Sequence, residues 1–144
     1  MTRDILLAAE MHTDAGKIVD SLTTKEGLSS FWTSESIAEP TVGTEARFGF
    51  PEAPVPLRMR VDRIDPNEVA WTCLGDFPFW EGTTVTWSLS GEEEHGGTKV
   101  LFRHVGFSDE QPEWEFASVA YTWAGILSRL KVLAETGSAE PYLG

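Results

Sequence analysis

The segment from Pro112 to Glu135 constrains this chain more than any other. At about 100° per residue, Phe116, Val119, Ala120, Trp123, Ile126, Leu127, Leu130 and Ala134 fall on one broad apolar stripe, the pattern of a long amphipathic helix. The opposite side carries Glu115, Ser118, Thr122, Ser128 and Arg129. Pro112 suits the first turn, Glu113 and Glu115 suit the positive end of the helix dipole, and Gly137 suits the stop. At about 1.5 Å per residue the helix is roughly 35 Å long, too long for another helix of so short a chain to cover its stripe. A sheet must cover it.

The rest of the sequence supplies that sheet. Ile5, Leu7, Ala9 and Met11 alternate with Leu6, Ala8, Glu10 and His12 over a first strand. Thr13-Asp14 offers an N-cap for a short helix through Ile18, Val19 and Leu22. In Thr23-Thr24-Lys25-Glu26 a glutamate three after Thr23 has capping-box spacing, which starts a second short helix ending near Phe31-Trp32. From Ser36 to His104 the pattern is β throughout. Ser36–Glu39 is a short strand, Glu45–Phe50 follows, and Pro51, Pro54 and Pro56 mark an irregular loop. Leu57–Ile64 and Glu68–Leu74 flank Asp65-Pro66-Asn67 as a hairpin; Thr83–Ser90 and Thr98–Val105 flank a looser turn with a solvated tip at Glu92-Glu93-Glu94. Short connections imply an antiparallel meander. The expected fold is α+β: a curved antiparallel sheet of six or seven strands around the long C-terminal helix, with two short helices after the first strand. No linker divides residues 1–144, which read as one domain, and Ser138–Gly144 reads as a tail.

Strand parity decides what faces the helix. Leu57, Met59 and Val61 share a face, as do Val69, Trp71 and Cys73, then Val85, Trp87 and Leu89, then Val100, Phe102 and His104. Their neighbours Arg58, Arg60, Thr84, Thr86, Ser88, Lys99 and Arg103 make a wet face. Trp123, Phe116 and Phe31 or Trp32 add to an aromatic dry side.

Composition narrows the function. The 144 residues carry 11 basic and 23 acidic side chains, net −12, a charge that repels phosphate backbones and anionic lipid; nucleic acid and membrane are excluded as expected partners. Cys73 is the only cysteine, which fits a reducing compartment, and the apolar run Ile5–Ala9 is short for a secretory segment; the expectation is cytoplasmic. His12, His95 and His104 are scattered without ligand spacing, so neither metal nor cofactor is expected.

The order strand, two short helices, meander, long helix resembles the helix-grip arrangement of the START-like superfamily, also called SRPBCC or birch-pollen-allergen-like. More specifically, the chain is similar to homologues of the activator of the heat-shock-protein-90 ATPase. The resemblance is carried by Leu22–Thr33, Val42–Phe48, Val61–Trp71, Thr83–Leu89, Gly96–Phe107 and Trp123–Leu130, in order and spacing over nearly the whole chain. Two departures, Phe31 in place of a frequent tryptophan and Glu45-Ala46 in place of a second glycine, bear on the shape of the cavity mouth. The resemblance implies a cavity between sheet and helix that takes lipids, polyketides or other apolar molecules, and it carries no catalytic triad or metal motif to transfer.

The ligand-contacting set expected from this reading comes from three places. The strands give Phe48, Met59, Trp71, Cys73, Trp87, Phe102 and His104, the helices give Trp32, Tyr121 and Trp123, and the loop Phe77-Pro78-Phe79-Trp80 gives Phe79 and Trp80 as a lid or partner surface. Each has a plainer reading. His104 reads more readily as a hydrogen-bonded core histidine, Cys73 as an inert buried thiol, and each tryptophan as core filling. Three functions follow: a binding protein for an apolar or aromatic small molecule, a chaperone-associated stress-response module, and a cyclase- or hydrolase-like enzyme using His104 or Tyr121. A homodimer is compatible with all three.

Overall fold

In the computed structural model, which describes residues 2–92 and 96–143, seven strands form one antiparallel sheet with three helices. The strands are β1 (Thr2–Met11), β2 (Ser36–Ile37), β3 (Glu45–Phe48), β4 (Leu57–Asp65), β5 (Glu68–Cys73), β6 (Thr84–Glu92) and β7 (Gly97–Ser108). Their spatial order is β1-β7-β6-β5-β4-β3-β2. Only β1 leaves the meander order, because α1 (Ala15–Thr23) and α2 (Lys25–Phe31) carry the chain from β1 to the far edge of the sheet. The α3 helix (Glu113–Thr136) lies across the dry face, giving the helix-grip architecture of the α+β class.

The period-two pattern fixes the register. Trp71 pairs with Val85, Val69 with Trp87, Trp87 with Phe102 and Leu89 with Val100, so large and branched side chains alternate across the inner face, and all are buried. The outer face carries ion pairs, among them Arg58–Asp76 at 3.0 Å and Arg60–Asp62 at 2.7 Å. Two irregularities re-aim side chains. The Val61/Arg63 shift leaves Asp62 beside Arg60 and hydrogen-bonded by Thr72. In β7, Val105 and Gly106 oppose Asp4 alone, and Gly106 takes φ 98° there. That bulge switches parity, so both His104 and Phe107 point inward.

The helix ends follow local chemistry. Asp14 caps α1 by accepting from the Lys17 N–H. The second cap is Thr24, one residue later than the capping-box spacing suggested: its hydroxyl accepts from Gly27 N–H at 3.1 Å and donates to Asp20 O at 2.7 Å, so one side chain closes α1 and opens α2. Pro112 stands at the N-cap of α3, and Gly137 at φ 84° ends it. Trp123, Ile126, Leu127 and Leu130 are buried as the stripe requires, whereas Phe116, Val119 and Ala120 are only half-buried. Strand β3 stops at Phe48, short of the expected Phe50, and the hairpin-tip residues Glu93, Glu94 and His95 lie outside the described residues. Among the described residues no helix is long and apolar enough to cross a membrane.

Candidate ligand site

In the first part of α3, Ser118, Val119 and Thr122 border a cavity of about 640 Å³. Six aromatic rings line it, Trp32, Phe50, Phe77, Trp80, Trp123 and Tyr142, together with Val119, Ile126 and Leu143. Polar groups are few, namely Ser118, Thr122, Glu52 and Tyr142. A space of this size is far larger than the voids of a close-packed interior and lies within the range of small-molecule sites.

Each wall is set by its local backbone. Trp32 ends α2, where its N–H bonds Leu28 O, and its indole stacks on Phe48 at 4.1 Å between ring centroids. Beyond the end of β3, Phe50 leaves the sheet and meets Phe77 at 5.8 Å. The loop between β5 and β6 is sharply kinked, with positive φ at Gly75, Asp76, Phe79 and Gly82. A Trp80 N–H to Phe77 O bond of 3.1 Å tightens it, so Phe77 and Trp80 turn inward and Phe79 turns out. The tail folds back: Tyr142 N–H bonds Phe31 O at 3.1 Å, Leu143 N–H bonds Trp32 O at 2.8 Å, and Ser34 N–H bonds Leu143 O at 3.2 Å. The Tyr142 ring lies over Gly125, where a Cβ would come within 2.4 Å of it.

His104 is built into the wall behind the cavity. Trp123 Nε1–H, which can only donate, bonds His104 Nδ1 at 3.0 Å, so the ring proton sits on Nε2. Nε2–H then donates to Thr83 Oγ1 at 2.9 Å, and Thr83 Oγ1–H donates to Trp80 O at 2.6 Å. Burial lowers the imidazole pKa to about 3. Both nitrogens are committed and the ring stays neutral, so His104 positions Trp123 and the Trp80 loop rather than exchanging protons. Cys73 Sγ lies 3.8 Å from Nε2, and burial pushes its thiol up to about 11.

The expected contact residues therefore divide into three groups. Trp32, Trp80 and Trp123 line the cavity. Phe48, Met59, Trp71, Cys73, Trp87 and Phe102 are fully buried behind it, packed on one another: Trp71 and Trp87 lie 5.8 Å apart, and Phe102 and Trp123 lie 4.6 Å apart. The indole rings pack on one another in the middle of the sheet; the cavity lies at one end, between loops, tail and α3. Phe79 and Tyr121 do not line this cavity. Phe79 points outward from its left-handed backbone, and Tyr121 is 78% exposed, because two residues along a helix turn it about 200° from Trp123. The sequence reading also missed Tyr142 and Leu143 by treating the end of the chain as a free tail; Pro141-Tyr142-Leu143, an apolar run after polar residues, is the signal that was there. Among the described residues no group of three or more His, Cys, Asp or Glu is placed to hold a metal ion.

Residues 12–135 match the family model described as "Activator of Hsp90 ATPase homolog 1-like protein". The chain belongs to that family. Within this Hsp90-ATPase-activator-like family, the fold is similar to the Aha1 dimer from Colwellia psychrerythraea, with TM-score 0.82, 28% identity, and 94% of this chain and 98% of that one covered. It is also similar to SSP2350 from Staphylococcus saprophyticus, with TM-score 0.76, 20% identity and 95% of each chain covered. A third similar structure is DynU16, described as a putative protein in the dynemicin biosynthetic locus. There the TM-score is 0.75 and the identity 20%, over 96% of this chain and 49% of that one. No curated protein sequence matches the chain.

Proposed function

We propose that this family member binds an apolar small molecule containing a flat or aromatic group, held between Trp32, Phe50, Phe77, Trp80 and Trp123. The observation that carries the reading is a cavity of about 640 Å³ with a mainly apolar lining in which six of fourteen residues are aromatic. Such surface is costly to leave wet, and an apolar guest removes it from water at about 25 cal/mol per Å². Thr122 Oγ1 donates to Ser118 O, which leaves its lone pairs to accept from a guest's donor. The committed hydrogen bonds of His104 and the outward Tyr121 support binding over acid–base turnover in this cavity.

The test is titration with the neutral fluorophore N-phenyl-1-naphthylamine, exciting tryptophan and reading energy transfer. One saturable site that Val119→Trp fills and Trp80→Ala weakens is expected. Non-saturable transfer, or transfer indifferent to both substitutions, overturns the reading. The family description favours a chaperone-associated role as the second reading. Stimulation of an Hsp90 ATPase by the purified chain is its test, and no stimulation removes it. By likeness to the Colwellia relative, described as a dimer, we also take the protein to be a homodimer.

A further inference from the structure

We propose that the solvent face of α3 is the self-association surface, used by two copies packed with their α3 helices antiparallel about a two-fold axis. This rests on the homodimer reading above and deepens it by naming the surface. Trp114, Ala117, Tyr121, Ala124, Ser128 and Val132 are all exposed, and their spacing of three and four residues puts them on one stripe of the helix. Trp114 is 81% and Tyr121 78% exposed, the two most exposed large apolar side chains among the described residues. From Phe116 to Ser128 no residue carries a charge, in a chain where 24% of residues do. An uncharged helix face bearing two open aromatic rings is what the centre of an interface requires and what a free surface avoids.

The pattern is self-complementary in one orientation. With the helices antiparallel and the axis between Tyr121 and Ala124, each Tyr121 ring meets the Ala124 of the second copy, twice across the axis. Ala117 then meets Ser128, and Trp114 meets Val132. Large thus packs on small in the central layers. Charge follows the same arrangement: Glu113 and Lys131 flank the stripe on the same side, about 80° from Tyr121, so the two-fold brings each Glu113 beside the second copy's Lys131. A parallel pair would leave each Glu113 and the second copy's Lys131 at opposite ends of the seam, and the helix dipoles would then add rather than cancel. The cavity-lining Ser118 sits at the edge of the same stripe, so both cavities flank the helix pair on one side.

Sedimentation velocity of the full chain over a concentration series, at an ionic strength that screens the charge of −12 per copy, tests this. The wild type is expected to dimerise, with Tyr121→Glu and Ala124→Glu each weakening the dimer at least about tenfold at unchanged melting temperature and circular dichroism. Glu113→Lys should weaken it and Glu113→Lys with Lys131→Glu should recover it. A dimer that persists in Tyr121→Glu and Ala124→Glu overturns this surface and leaves the homodimer reading standing. A charge swap without recovery overturns the antiparallel register. A wild type that stays monomeric at every concentration overturns both.

Discussion

The indole N–H of Trp123 donates to Nδ1 of His104 at 3.0 Å, a single bond that joins α3 to β7 and fixes which imidazole nitrogen bears the proton. Everything downstream depends on that tautomer, because Nε2–H reaches Thr83 and Thr83 reaches the backbone of Trp80. The cavity wall is thus held by a relay running from helix to sheet to loop.

Acid should weaken the fold through this histidine. Its folded pKa is near 3, against an ordinary value of 6.5, so below pH 6.5 the unfolded chain takes up a proton the folded one refuses. The stabilising contribution is complete above pH 6.5 and falls away as pH drops toward 3. At about 1.4 kcal/mol per pH unit, moving from pH 7 to pH 5 costs about 2 kcal/mol at this group. Urea unfolding of wild type and His104→Gln at both pH values should show that extra loss in wild type alone; equal losses would assign the acid sensitivity to other groups.

Core and cavity tryptophans should separate by stability. Trp71 is fully buried and packed on Trp32, Phe48 and Trp87, so Trp71→Ala should cost about 3–5 kcal/mol. Trp80 is half-buried at the cavity edge, and Trp80→Ala should cost about 1–2 kcal/mol while abolishing most naphthylamine binding. Comparable stability losses in the two variants would mean that the cavity closes in solution.

The thiol makes a third prediction. With Cys73 buried and its pKa pushed up to about 11, native protein at pH 8 should react with Ellman's reagent far more slowly than protein in guanidinium, by about a hundredfold or more. Rapid native labelling would show that the β5 end opens readily.

Much of the sheet and helix architecture was legible because alternation and the 3.6-residue stripe are strong signals: Val69, Trp71, Cys73, Val85, Trp87 and Leu89 all face inward as their parity required. The site was less legible because its shape comes from departures from regularity. Phe107 points inward only through the bulge at Gly106. Phe77 and Trp80 are separated from Phe79 only by a left-handed backbone. The docking of Tyr142 depends on hydrogen bonds to Phe31, over a hundred residues away in sequence. Tyr121 was misplaced for another reason: its helical phase was readable, and its ring was counted by type instead of angle.

Two glycines should respond differently to alanine, and the difference isolates the tail. At Gly27 a Cβ would come within 2.4 Å of the Ser21 backbone, where α1 and α2 cross, and neither helix can move without breaking the double role of Thr24. Gly27→Ala should therefore destabilise by about 2 kcal/mol or more, seen as a lower urea midpoint. At Gly125 the obstruction is the edge of the Tyr142 ring, a side chain on a terminal strap. Alanine also favours a helix over glycine by about 1 kcal/mol, which offsets the loss of that contact. Gly125→Ala should leave stability within about 1 kcal/mol of wild type. It should also speed entry of N-phenyl-1-naphthylamine in stopped-flow mixing, because Tyr142 and Leu143 no longer seal the cavity. Unchanged entry with a displaced tail would show that the probe enters past Pro51 and Phe77 instead.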